Sequence, residues 1–145
     1  MAISHDQELA HSLRDLISRL YRGIRKQVSN PEQLSVAEEN VVRILVDQEE
    51  VLPSELCSQL NISSQFMSQV LNRLENLDYI KRKPSRTDKR KTLVSLSKKG
   101  MHKIQQRRQE KEDLLAAMIS RRYNRREKEE VARAIQLLSR IYEDK

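Results

Sequence analysis

PSELCSQLNISSQFMSQVLNRLENLDYIKRKPSRTDKRKTLVSLSKKG, residues 53–100, decides how the whole chain is read. Pro53 suits the first turn of a helix that carries Leu56, Cys57 and Leu60. Asn61 and Ile62 make a turn, and Ser63 caps a second helix predicted over 64–77. Two short helices with a tight link form a helix-turn-helix. Tyr79 to Pro84 and Lys91 to Leu96 then read as strands joined by a polar, basic link. A β-hairpin directly after a helix-turn-helix is the order of a winged helix.

On the N-terminal side, Leu9, Leu13, Leu16, Ile17, Leu20, Ile24 and Val28 recur at helical spacing and predict a long amphipathic helix ending before Pro31. Ser35 with Glu38 is a capping box. It opens a helix carrying Val41, Val42, Ile44 and Leu45, which dies in the acidic run Asp47 to Glu50. Val51 and Leu52 make a very short strand. On the C-terminal side, Ser97 caps a long helix reaching Arg122, and Asn124 with Glu127 starts a final one with Val131, Ala134, Ile135, Leu138 and Ile141 on one face. The predicted fold is mainly α with a small β-hairpin wing. It is one domain over 1–145 with two lobes: a winged helix at 34–99, and long terminal helices within 1–30 and 100–145.

Composition agrees. Charged residues are 34%, aromatics only 3%, and Gly and Pro number 2 and 3, which favours helix. The net charge of +7 makes a polyanion a natural partner. Cys57 is the sole cysteine, so no intrachain disulfide forms. No apolar run resembles a signal peptide or approaches a membrane span, so a cytoplasmic protein without a membrane partner is expected. His5, His11 and His102 lack metal-ligand spacing, and no nucleophile–base or Gly-rich phosphate pattern occurs. No metal, cofactor or enzymatic activity is expected.

On a helix over 64–77, Met67, Val70, Leu71 and Leu74 share one face. Gln65, Ser68, Gln69 and Asn72 fall opposite, with Arg73 at the edge and Ser64 at the start. The second face is polar and nearly uncharged. Such side chains either hydrogen-bond base edges or are simply solvated. Lys81, Arg82, Lys83, Arg86, Lys89, Arg90 and Lys91 crowd the hairpin, opposed only by Asp88. That wing is either a solvated basic loop or a grip on nucleic acid. Cys57, beside Leu56 and Leu60, reads as a small packing residue, with a redox switch as the alternative. The apolar faces of the terminal helices need partners, within one chain or from a second copy.

Leu34-Ser35, Ser54-Glu55-Leu56, Leu74-Glu75, Asp88-Lys89-Arg90 and Leu96-Ser97-Lys98-Lys99-Gly100 occur in this order. From Leu34 to Gly100 the chain resembles the MarR family of transcription regulators. It departs where Asp78 replaces the usual Gly, where Cys57 replaces a small residue, and where Glu50 stands near another customary Gly. The resemblance implies a homodimer built by the helices within 1–30 and 100–145, bound to a pseudo-palindromic operator in double-stranded DNA as a repressor. In a winged helix, Ser64, Gln65, Ser68, Gln69, Asn72 and Arg73 are expected to contact bases or phosphate. The resemblance implies a wing of Arg86, Asp88, Lys89, Arg90 and Lys91, in which Arg90 probes the minor groove and Asp88 pairs with an arginine to fix its direction. A phenolic or aromatic effector is implied as well. The alternative is a winged helix that binds an acidic protein partner and reads no DNA.

Overall fold

The computed structural model describes residues 4–143. Side-chain caps set where its helices begin. Ser4 opens α1 (His5–Gln27), accepting from the Gln7 N–H while the Gln7 side chain accepts from the Ser4 N–H. The predicted box of Ser35 and Glu38 opens α2 (Val36–Gln48) in the same way. Then come β1 (Glu50–Val51), α3 (Pro53–Leu60), α4 (Ser64–Asn76), β2 (Ile80–Pro84), β3 (Thr92–Leu96), α5 (Lys98–Arg122) and α6 (Arg125–Ser139). Asn124 and Glu127 cap α6 reciprocally, as their spacing predicts. Among the described residues this makes six helices and one antiparallel sheet, the mainly helical winged-helix fold expected.

The sheet has the order β1-β3-β2. Lys81 faces Ser95 and Pro84 faces Thr92 across the predicted hairpin. On the other edge Val51 faces Val94, so the short strand is the third member of the sheet rather than a separate piece. Two positive-φ residues turn the chain where the sequence places turns: Asn61 (φ 52) after α3 and Asp78 (φ 62) between α4 and β2. Asp78 stands in the left-handed conformation that Asp tolerates better than most residues with a Cβ.

The chain divides into two compact units. Ser29–Arg108 forms the first and contains one continuous core. Leu34, Val41, Leu45, Leu56, Met67, Leu71, Leu74, Tyr79 and Val94 are all at most 2% exposed within it. Burying each such side chain contributes roughly 1.5–3 kcal/mol. The first turns of α5 belong to this unit, because Ile104 packs on the core and Arg107 pairs with Glu39 at 2.9 Å. The two compact units divide along the sequence between Arg108 and Gln109. The second unit, Met1–Val28 with Gln109–Lys145, differs in kind: no described residue of α1 or α6 is buried. Residues 1–3 and 144–145, the ends of the expected terminal helices, lie outside the described residues.

Gly100 joins α5 to the winged helix by close approach. Ser97 donates its backbone N–H to the Tyr79 carbonyl at 2.9 Å and its hydroxyl to the Asp78 carbonyl, while its Oγ accepts from the Gly100 N–H at 2.8 Å. A Cβ on Gly100 would lie 2.0 Å from the Tyr79 carbonyl oxygen. That neighbour is backbone and has no rotamer to retreat into. Gly100→Ala is therefore expected to destabilise the fold by about 1–3 kcal/mol, the usual cost of forcing extra volume into a packed site. Chemical denaturation checks this, and an unchanged midpoint would sink it.

Tyr79 anchors a polar network at the edge of the same core. Its hydroxyl donates to Glu32 Oε2 at 2.5 Å, and Lys103 Nζ donates to Glu32 Oε1 and to the Leu77 carbonyl. Lys103 Nζ also sits 4.8 Å from the Tyr79 ring centroid, a cation–π distance. Burial pushes the Tyr79 phenol up to about 12, and its hydrogen bond to Glu32 adds to the rise. For Glu32, burial opposes ionisation, but the bonds from Lys103 and Tyr79 outweigh it and hold the carboxyl below its ordinary 4.5. The folded chain thus holds the phenol proton more tightly than the unfolded chain does. Its contribution is complete below pH 10 and is lost as pH climbs towards about 12. Melting curves across that window are expected to fall more steeply for the parent than for Tyr79→Phe. Parallel pH profiles would count against the assignment.

Candidate nucleic-acid interface

Ser63 caps α4 by accepting from the Phe66 N–H, which sets where the helix begins. Met67, Val70, Leu71 and Leu74 then point inward, each at most 3% exposed. Ser64, Gln65, Ser68, Gln69 and Asn72 are left exposed, and the last four share the outward face. Among the described residues the side chains of Gln65, Ser68 and Gln69 have no hydrogen-bond partner. Amides and a hydroxyl without internal partners can still donate to and accept from base edges.

Arg73 departs from the expected base-reading set. Its Nη1 meets Glu38 Oε2 at 2.6 Å, and its Nη2 donates to the Glu32 carbonyl at 2.8 Å. The Glu38 side chain is only 5% exposed. Leaving that carboxylate buried without a cation would cost several kcal/mol, so the arginine at the edge of the face turns inward to it. Asn72 is also engaged, its Oδ1 accepting from Arg82 Nη2 at 2.7 Å. Phe66 belongs to neither face in the periodicity, yet it is 42% exposed in the first turn of α4. An exposed aromatic there suits a thymine methyl group. Its signal in the sequence was its rarity, since it is the chain's one phenylalanine.

The wing loop is shaped by backbone hydrogen bonds. Ser85 donates its N–H to the Lys91 carbonyl at 2.7 Å, and its Oγ accepts from the N–H groups of Thr87 and Asp88. Asp88 acts differently from the expected arginine pair: its Oδ1 accepts from the backbone N–H of Arg90 at 3.0 Å, and it forms no ion pair among the described residues. An acceptor two residues before a backbone donor closes a local turn, which leaves the guanidinium unclaimed. Arg86, Lys89, Arg90 and Lys91 are exposed and unpaired among the described residues. Arg82 differs, binding Glu75 at 2.8 Å.

Elsewhere, Cys57 is half-buried and packs against the core. His11 pairs with Asp15 at 3.2 Å on its own helix. No three described His, Cys, Asp or Glu residues are placed to hold a metal ion. No described helix is long and apolar enough to cross a membrane.

The exposed face of α4 and the wing loop lie in a stretch that a known family covers. Residues 33–91 match the MarR family. The resemblance drawn from Leu34 to Gly100 is thus met as far as residue 91, and the match covers that part of the chain alone. No curated protein matches the chain in sequence. Solved structures do. A Pseudomonas aeruginosa protein provisionally named a transcriptional regulator is 26% identical with a TM-score of 0.83, covering 99% of this chain and 100% of its own. A transcriptional regulator of Thermotoga maritima shares the fold at 19% identity and a TM-score of 0.79, over 92% of this chain and 93% of its own. Wild-type MarR of E. coli shares it at 22% identity and a TM-score of 0.68, over 99% and 100%. The fold is that of MarR-family transcription regulators.

The two kinds of residue on α4 separate experimentally. Arg73→Ala strands the Glu38 carboxylate and is expected to lower stability by about 3–5 kcal/mol. Gln69→Ala, on the exposed face, is expected to change stability by less than about 0.5 kcal/mol. Urea denaturation of both variants checks this, and a silent Arg73→Ala would return that residue to the reading face.

Proposed function

We propose that the protein is a sequence-specific double-stranded DNA-binding transcription regulator, acting as a homodimeric repressor on a pseudo-palindromic operator in the cytoplasm. The observation that carries this is the juxtaposition of an exposed, uncharged polar face on α4 with a wing whose cations are unclaimed. Ser64, Gln65, Ser68, Gln69 and Asn72 are suited to the major groove. Arg86, Lys89 and Lys91 are suited to phosphates, and Arg90 to the narrow minor groove. The region 34–99 is the DNA-binding part in this reading.

Dimerisation through the helices within 1–30 and 100–145 is supported by what they leave bare. Leu9, Ile17 and Ile135 on α1 and α6 are each 57–58% exposed, and Ile141, expected on the last helix but placed just past its end at Ser139, is 61% exposed. Apolar stripes of this kind call for a partner surface. Control by a phenolic or aromatic effector rests on the family match alone.

Selection from genomic fragments with the purified protein tests the reading. Recovery of a two-fold symmetric site by a dimer in sedimentation equilibrium is expected. A monomer at micromolar concentration, or no duplex enrichment, would overturn it. Within such a site, Arg90→Ala is expected to weaken specific and unrelated duplexes alike. Lys89→Ala should reduce the salt slope of log affinity by about one unit. Asp88 gives the sharper contrast. Asp88→Ala loses the acceptor that shapes the loop and should bind less tightly despite its added positive charge, whereas Asp88→Asn keeps an acceptor and should bind at least as well as the parent. Tighter binding by Asp88→Ala would mean that charge alone governs the wing.

A further inference from the structure

We infer that Arg82 sets the hydrogen-bonding polarity of Asn72, and thereby selects against adenine at one operator position. The inference rests on the DNA-binding reading above and adds to it a residue of β2 that touches no base in this account. Arg82 Nη2 donates to Asn72 Oδ1 at 2.7 Å and Nε donates to Glu75 Oε2 at 2.8 Å. Asn72 and Glu75 are three residues apart on one face of α4, so a single guanidinium spans both. The Arg82 side chain is 32% exposed and that of Glu75 47%. The charged pair holds the guanidinium, and the guanidinium in turn holds the amide.

Chemistry fixes which end of the amide is held. A guanidinium has donors only, so it must face the oxygen of Asn72, never the NH2 group. The NH2 has no partner among the described residues, and Asn72 is exposed. A free asparagine recognises adenine with both ends, donating to N7 and accepting from the N6 amino group. One lone pair of the Asn72 oxygen is taken by Arg82, and the guanidinium 2.7 Å away repels a second donor such as the adenine amino group, so Asn72 is left chiefly as a donor. It then suits edges that present acceptors, guanine N7 and O6 or thymine O4. Arg82 is thus a positioning residue for specificity, and its positive charge is spent inside the protein rather than on phosphate.

Selection from randomised duplexes with four proteins tests this: the parent, Asn72→Ala, Arg82→Met and the double variant. Asn72→Ala is expected to flatten one column of the preferred site, and in the parent that column should disfavour adenine. Arg82→Met is expected to raise adenine at the same column by roughly fivefold or more, leaving the other columns unchanged. The double variant should match Asn72→Ala, because Arg82 acts through Asn72. A column that Asn72→Ala leaves intact, a parental preference for adenine there, or an Arg82→Met profile identical to the parent would each overturn the inference. The parental preference serves as the test if Arg82→Met does not fold. Failure of the parent to select any duplex would instead remove the DNA-binding reading itself.

Discussion

The Glu38 carboxylate is the constraint on which the winged helix turns. It accepts the Ser35 N–H at 2.8 Å, completing the cap of α2, and the same oxygen meets Arg73 of α4 at 2.6 Å. One buried anion therefore starts one helix and holds another. Arg73 extends the link to the carbonyls of Glu32 and Gln33, and Glu32 passes it on to Tyr79 and Lys103. Close packing already resists sliding of the helices, and directional bonds to a desolvated charge add a restraint on orientation. The orientation of the polar face of α4 is fixed by this chain of contacts as much as by the leucines beneath it.

The two units solve the burial problem differently. Ser29–Arg108 encloses its apolar residues within its own sequence. The helices α1 and α6 of the other unit form because of caps and helix-favouring composition, and bury nothing fully. Local propensity makes such helices but supplies little stability without packing. Their leucines and isoleucines, Leu9, Ile17 and Ile135 among them, consequently stay largely exposed in the single chain.

Periodicity and capping chemistry made most of the fold legible. Ser35 with Glu38, Asn124 with Glu127 and the alternation of Met67, Val70, Leu71 and Leu74 are local signals, and each appears in the structure where it was read. What escaped was long-range and polar. Arg73 lies 35 residues from Glu38, and no wheel projection of α4 contains that partner. The bonds of Arg82 to Asn72 and Glu75, and the pairing of Val51 with Val94, are likewise products of tertiary approach. The wing showed a subtler gap. Charge counting located its cations but did not reveal that Asp88 serves a backbone N–H instead of a guanidinium.

The wing's unclaimed cations bear on kinetics as well as affinity. A basic loop with no internal counter-ions is attractive to any duplex, whatever its sequence, and draws the protein onto DNA before a base is read. On the proposed reading, the side chains that would discriminate stand on a helix braced through Arg73, and they would act only at contact distance. On the DNA-binding reading, travel along the duplex and recognition of the target are therefore assigned to different elements. The first is sensitive to ionic strength through the wing, and the second is set by hydrogen-bond geometry that salt barely touches.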